Sequence, residues 1–387
     1  MVNSKQMFTE YGQSLDPGAV LQEYPRPQLQ RDSYLNLNGY WNYAITGLDL
    51  DPDNNGLQEI EYEGQILVPF SPESVLSGVN RSLSPDELLH YQRQVYLPEN
   101  FHISNQRCLI LHFGAVDQWA RVYINGKLAG EHQGGFTPFA FDITDLVDDQ
   151  SFDLKVLVRD ESDTKIHQTG KQRIKRGEIW YTPQSGIWQT VWLESVPLHH
   201  IAELTLTPLF DEKAIRMDFE CRGEGPIQAE AFFQGRSMGK AILELSAKSA
   251  SAVPFTSGQL ILPLAEMHPW SPKSPALYDL QIRFGQDSIK SYAGMRHYSM
   301  KADVRGRMQF YLNHEPCFQN GVLDQGYYPD GLLTPPSDDA MIHDIRTMKE
   351  MGFNLLRKHI KIEPLRWYYH CDGITIAIAW GCWSGRI

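Results

Sequence analysis

The chain has 387 residues, 42% of them hydrophobic, 11% aromatic and 21% charged, with a formal net charge of −12 and a pI near 5.5. It is longer than one hydrophobic core sustains, since chains beyond roughly 250 residues divide into domains, and its composition excludes a disordered or fibrous protein. The acidic balance argues against a nucleic-acid or anionic-membrane partner, because phosphates and acidic lipids repel a net negative surface.

The amino terminus, "MVNSKQMFTEYGQSLDPG", lacks the apolar core of a secretion signal, and no apolar run approaches the roughly 20 residues that span a bilayer, so a cytoplasmic location away from membranes is expected. Cys108, Cys221, Cys317, Cys371 and Cys382 are odd in number, far apart and never in a Cys-x-x-Cys pair. They read as reduced, mostly buried thiols rather than a disulfide framework or a zinc site.

From Tyr34 to about Val196 the chain is a series of β-rich runs broken by turn residues: "LNGYWNYAI", "RCLILHFGAV", "WARVYINGKLAG", "FDLKVLVRD" and "TVWLESV". Asn125-Gly126 marks a hairpin, because a type I′ turn needs positive φ at both central residues. Strands at this spacing predict a jelly-roll sandwich over residues 1–200. Within it, "KQRIKR" from Lys171 to Arg176 reads as a solvated loop, and His199-His200 as surface residues without a third metal ligand. Trp188 and Trp192 are expected to fill the sandwich core or its seam with the carboxy-terminal domain.

A second β segment, "AELTLTPLF", "AIRMDFECR", "IQAEAFFQG", "QLILPL" and "LYDLQIRFG", suits one immunoglobulin-like sandwich over residues 201–300. The Pro-rich "HPWSPKSPALYDL" is then a crossing between its strands. After Lys301 the grammar changes to strand, helix, strand. "PSDDAMIHDIRTMKEMG" carries Met341, Ile342, Ile345, Met348 and Met351 on one stripe, with Ser337 as N-cap and Gly352 as stop, "FNLLRKH" is a new strand, and a second helix starts near Glu363-Pro364. From Gly373 to Ile387 there is neither a helical period nor strand alternation.

The run "GEIWYTPQSGIWQTVWLESV", Gly177 to Val196, resembles the sugar-binding signature of glycoside hydrolase family 2, which includes β-galactosidases and β-glucuronidases. "LNLNGYWNY", "LHFGAVDQWARVYINGKLAGEHQGGFTPFAFDIT", "PWSPKSPALYDL", "YLNHEPCFQNGVLDQGYYPDG" and "MGFNLLRKHIKIEPLRWYYHCD" are similar to the family's other blocks, in family order. The resemblance implies a mainly β, multi-domain protein: a jelly roll, an immunoglobulin-like sandwich and then a (β/α)₈ barrel, of which residues 301–372 form the first units.

It also implies retaining hydrolysis of terminal β-glycosides by two glutamates whose carboxyls stand roughly 5 to 5.5 Å apart. Both belong to later barrel strands, and Glu315, Glu350 and Glu363 do not converge by position, so no catalytic residue is assigned and the chain is expected to be inactive. Read in a frame shifted by two bases, an allowed codon choice for Trp380 to Ile387 gives Gly-Met-Leu-Val-Trp-Gln-Asp, which is how family members continue, so residues 373–387 are expected to be an out-of-frame tail. An incomplete barrel predicts disorder or aggregation after about residue 301.

Arg357, His359 and Lys361 alternate at the end of the second barrel strand, which would aim all three into the barrel mouth, where this architecture places its sites. Asp324 and Gln325 follow the first strand, a carboxylate beside an amide that suits sugar hydroxyls. These five are the candidate substrate-binding residues. No cofactor and no metal is expected, the expected partner is a carbohydrate, and a homo-oligomer is compatible with the sequence. The alternative reading is a non-catalytic carbohydrate-binding or assembly module.

Overall fold

The computed structural model describes residues 7–48, 59–101, 106–246, 253–374 and 377–381, the last of these by backbone alone. The first unit stacks two antiparallel sheets. Four strands run in the order Tyr34–Asn36, Val191–Pro197, Arg107–Phe113, Phe139–Asp142, and six run in the order Gly64–Val68, Gly39–Gly47, Glu87–Tyr96, Ser151–Arg159, Trp119–Ile124, Lys127–Gln133. Alternate residues such as Leu109, Leu111 and Phe113 face Trp41, Leu89, Tyr91, Val156 and Val158 to form the core. Asn125 and Gly126 take φ of 50° and 78° at the tip of the Trp119–Gln133 hairpin, as the type I′ turn requires.

The second unit pairs three strands, in the order His200–Leu209, Ala214–Arg222, Phe255–Pro263, with four, in the order Arg236–Leu245, Gly225–Phe233, Leu277–Phe284, Asp287–Gly294. The Pro-rich crossing lies between the strands ending at Pro263 and beginning at Leu277 and buries Trp270, whose Nε1 donates to the Asp372 carbonyl at 2.8 Å. His200 is buried rather than at the surface, its Nδ1 2.9 Å from the Pro197 carbonyl oxygen.

A hairpin of Tyr298–Ala302 and Met308–Leu312 leads to three parallel strands in sequential order, Gly321–Asp324, Leu355–His359 and Ala377–Gly381. The connecting helices, Asp338–Glu350 and Leu365–Ile374, cover one face of this sheet. Ser337 caps the first through its hydroxyl, which accepts from Ala340 N at 3.1 Å, and Gly352 at φ 91° ends it. The stripe finds partners within this segment, since Met341 and Ile345 pack on Leu356, Trp367 and Cys371. Met351 stays exposed, as do Phe318 and Leu323 on or beside the open face.

Two elements depart from the sequence reading. The helix runs on to Ile374, and "AIAWG" pairs as a strand with Leu355–His359. Parallel strands buried on both faces are unbroken apolar runs rather than alternations, so the absence of alternation here does not exclude a strand. Residues 382–387, with Cys382, lie outside the described residues. Cys108, Cys221 and Cys371 are buried and Cys317 half-buried, all four as free thiols. Among the described residues no helix is long and apolar enough to cross a membrane.

The units are joined by the segment before Tyr34. Arg31, buried, donates through Nε and Nη2 to both carboxylate oxygens of Asp287 at 2.8 Å each, through Nη1 to Glu194 at 2.9 Å, and through Nη2 to the Ile201 carbonyl at 2.6 Å. Arg26 Nη2 (2.7 Å), Trp192 Nε1 (3.0 Å) and the Tyr24 hydroxyl also donate to Glu194. Burial opposes ionisation of Glu194, but the Arg26 and Arg31 charges outweigh it and hold its carboxyl well below the usual carboxylate range. At the other end of the sandwich, burial pushes Glu73 up to about 7, although its oxygens accept from Leu83 N and Ser185 N at 3.1 Å each.

Replacing Arg31 with Met strands Asp287 among buried groups, and a loss of about 3–5 kcal/mol in urea unfolding is expected. A loss below about 1 kcal/mol would show that the pair is dispensable. For Glu73→Gln the pH slope is the readout. A carboxyl raised on folding supplies stability below its unfolded value of about 4.3 that is lost as pH rises toward about 7. The wild type should therefore lose stability relative to the variant across that window, and a pH-independent difference would contradict the assignment.

Candidate functional site at the parallel strand ends

The carboxyl ends of Gly321–Asp324 and Leu355–His359 lie side by side, with Asp324 registered on Lys358. Strand alternation sends Leu355, Arg357 and His359 to the open face and Leu356 and Lys358 to the helix-covered face. Arg357 is exposed and His359 half-buried, with Gln325 Nε2 3.3 Å from His359 Nδ1 across the strand ends. Some burial and the neighbouring Lys171 and Arg357 charges lower the His359 imidazole, favouring its neutral form.

Lys361 does not join them. Ile360 adopts φ 57°, which breaks the alternation and turns Lys361 inward, where its ammonium donates to the carbonyls of Gly326 (2.7 Å) and Leu333 (2.6 Å) and stands 2.9 Å from Glu363 Oε2. Lys358, fully buried with its ammonium 4.2 Å over the Trp367 ring, binds Glu363 Oε1 at 2.7 Å and Asp324 Oδ2 at 2.8 Å. Burial opposes the Lys358 charge, yet the two carboxylates outweigh it and the ammonium is raised. For Lys361 burial wins over Glu363 and the group is lowered. Asp324 and Glu363 both bind Lys358, which makes them the carboxylates that approach one another at the strand ends. However, each oxygen of Glu363 already holds an ammonium, so none is free to attack or protonate a substrate.

Gly326, at φ 56°, lets the loop after the first strand pass over this cluster, because a Cβ there would lie 2.0 Å from Glu363 Oε1. Lys358 and Glu363 are therefore the groups the sequence reading missed. Two lysines and a glutamate at spacings of three and two, just before Pro364, are the only signal of them.

The first sandwich closes one side of the site through its Gly177–Val196 run. Gln184 Oε1 accepts from Leu333 N at 2.9 Å, Gln189 Nε2 donates to the Ile362 carbonyl at 3.2 Å, and the Trp188 carbonyl accepts from the Thr334 hydroxyl at 2.7 Å. Trp188 packs with Phe136 and Leu333 at the seam, and Trp192, buried on the outer face of the four-stranded sheet, lines the same cleft beside Thr334 and Arg366. The Tyr181 and Tyr327 rings meet at 4.5 Å, and in the Lys171–Arg176 loop Lys171 is half-buried, Gln172 buried and the rest exposed. Among the described residues no group of three His, Cys, Asp or Glu side chains is placed to hold a metal ion.

Residues 35–197 match the profile "Glycosyl hydrolases family 2, sugar binding domain", and residues 199–296 match "Glycosyl hydrolases family 2". The chain belongs to glycosyl hydrolase family 2. This family 2 chain is 26% identical over 304 residues to a β-galactosidase of Leuconostoc mesenteroides, covering 73% of this chain and 27% of that one. A β-glucuronidase of Streptococcus agalactiae is 21% identical, with 86% and 54% covered. The fold is shared with β-glucuronidases of known structure, from Ruminococcus gnavus (TM-score 0.71, 17% identity, 93% of this chain and 60% of that one) and Dictyoglomus thermophilum (TM-score 0.69, 18% identity, 92% and 59%). The chain thus spans between 27% and 60% of the length of these relatives.

Glu363→Gln would leave two buried ammoniums with one carboxylate between them, and a destabilisation of about 3–5 kcal/mol is expected from denaturant unfolding. A change within about 0.5 kcal/mol would mean that the cluster is not what holds the two loops.

Proposed function

We propose that the protein is the recognition portion of a retaining β-glycosidase of the galactosidase and glucuronidase type, and that it contacts a terminal β-glycoside through Gln325, Arg357 and His359, while Asp324, bound to Lys358 and to Gly326 N, belongs to the layer beneath them. The observation that carries this reading is the juxtaposition of Gln325 and His359 across neighbouring strand ends, open to solvent and rimmed by the family 2 signature loop. An amide and a neutral imidazole both donate and accept, as a sugar hydroxyl does. The three parallel strands with helices on one face are, in this reading, the opening units of a barrel, whose sites gather at carboxyl strand ends. Lys358, Lys361 and Glu363 act from beneath, by fixing the two loops that present the contacting groups.

The chain by itself is read as non-hydrolytic, because the carboxylates that approach one another at the site are bound to lysines. That observation also favours a second reading, a carbohydrate-binding module without catalysis. A cytoplasmic location belongs to the proposal too, supported by the buried free thiols.

Purified chain is expected to release no nitrophenol from nitrophenyl β-D-galactoside or β-D-glucuronide. It should bind a methyl β-glycoside, and His359→Ala or Gln325→Ala should weaken that binding about fivefold, the loss of roughly one hydrogen bond. Turnover would overturn the non-hydrolytic reading, and unchanged affinity in both variants would remove the site from the strand ends.

A further inference from the structure

A basic hairpin borders the strand ends. Residues 171–180, "KQRIKRGEIW", carry the cations Lys171, Arg173, Lys175 and Arg176 against a single carboxylate, Glu178, in a chain whose net charge is −12. A local excess of positive charge on an acidic protein draws anions to that spot rather than to the surface at large.

The hairpin is built rather than loose. Tyr181 N donates to the Lys171 carbonyl at 2.7 Å and Arg173 N to the Tyr181 carbonyl at 3.1 Å, while Gly177 and Trp180 close the turn through each other's backbone at 3.3 and 2.9 Å. The Arg173 guanidinium carbon lies 3.6 Å over the Trp180 ring. The root of the hairpin docks just past His359, since a Cβ on Gly170, which has φ 57°, would stand 3.1 Å from the Ile360 carbonyl oxygen. Its return arm meets the loop after the first parallel strand, where the Tyr181 ring packs on Tyr327, just past Gln325 and Gly326.

The cations facing this region are not neutralised. Among the described residues Lys171, Lys175, Arg176 and Arg357 have no carboxylate within ion-pair distance, whereas Arg173 Nε stands 4.0 Å from Asp163 Oδ2. Arg176 Nη1 donates only to the Thr182 hydroxyl, at 2.9 Å. The carboxylates of the strand ends are already taken: Asp324 and Glu363 hold the Lys358 and Lys361 ammoniums, and Asp344 accepts from the Tyr328 hydroxyl at 3.1 Å. Besides burial, it is the Lys171 and Arg357 charges that lower the His359 imidazole, so both stand within electrostatic reach of it. An amide, a neutral imidazole and free cations are what a ligand meets there.

We infer that the glycan taken at the strand ends is an acidic oligosaccharide: Lys171 and Arg357 receive a carboxylate or sulfate of its terminal residue beside His359, and Lys175 and Arg176 receive an anionic group of the residue that follows. Ammonium and guanidinium groups bond carboxylate and sulfate oxygens roughly twice as strongly as neutral donors bond hydroxyls. A neutral sugar keeps the Gln325 and His359 contacts and gains none of these. The hairpin's role rests on the strand-end reading and adds to it the charge and the length of the substrate.

The experiment is calorimetric titration of the full chain with chondroitin tetrasaccharides of one backbone: unsulfated with a terminal glucuronate, 6-sulfated, and carboxyl-reduced, which is neutral. Methyl β-D-glucuronide is the single-residue probe. The unsulfated acidic form is expected to bind about tenfold more tightly than the neutral one at low salt. That difference should largely vanish in about 1 M NaCl, where charges are screened within about 3 Å. Lys171→Ala and Arg357→Ala should each weaken the acidic tetrasaccharide and methyl β-D-glucuronide about fivefold, whereas Lys175→Ala should weaken the tetrasaccharide alone. Among the described residues none of these three side chains makes a hydrogen bond or ion pair, so their replacement reads charge rather than folding. Tighter binding of the 6-sulfated form would assign sulfate to the hairpin and equal binding would assign carboxylate, and either upholds the inference. Equal affinity for acidic and neutral tetrasaccharides, both weakened by His359→Ala, would overturn it and leave the strand-end reading standing. Acidic binding unchanged in His359→Ala, or matched by an oligothymidylate of equal charge, would overturn it as well, because the hairpin would then be a general anion patch. Binding of no glycan at all would remove both readings.

Discussion

The two sandwiches of this protein meet on one buried guanidinium. Arg31 satisfies Glu194 in the first sandwich, and in the second it satisfies Asp287 and the Ile201 carbonyl, through planar, charge-assisted bonds that fix orientation as well as distance. Because all three charges are buried, no partner can leave without exposing another to an apolar surrounding, and the geometry of the joint becomes all-or-none. The arrangement at the strand ends depends on this joint. The second sandwich carries Trp270 and Arg296, which bind the Asp372 carbonyl and carboxylate at 2.8 and 2.5 Å and so hold the helix that follows Glu363.

The same device recurs at smaller scale beneath the site. Lys358, Lys361, Glu363 and Asp324 form a balanced cluster of two cations and two anions, bonded to each other and to the carbonyls of the loops they support. Balanced burial favours rigidity over reactivity: ammoniums that neutralise carboxylates also occupy the lone pairs that catalysis would need. Sugar recognition has the opposite requirement, groups that donate and accept and remain open to solvent, and Gln325 and His359 meet it one layer above.

Local pattern carried most of the architecture. Alternation gave the two sandwiches, Asn125-Gly126 gave its hairpin, and Ser337 and Gly352 bounded the first helix, because each signal acts within a few residues. The joint was not legible, since Arg31 meets Glu194 163 residues away and Asp287 256 residues away. Lys361 was misplaced for a local reason that sequence does not display. A β-branched residue at positive φ is unusual, so alternation was extended through Ile360 when the chain in fact turns there. Lys358 stands between two residues that face the open side, and that parity puts it on the covered face.

The most direct test of a recognition site above a rigid ionic base is a crystal structure of the chain soaked in methyl β-D-galactopyranoside. The account requires sugar density in hydrogen-bond contact with Gln325 and His359, with Lys358 and Lys361 still bonded to Glu363. Unoccupied strand ends in a lattice that leaves them accessible, or a Lys361 swung out to meet the ligand, would contradict it.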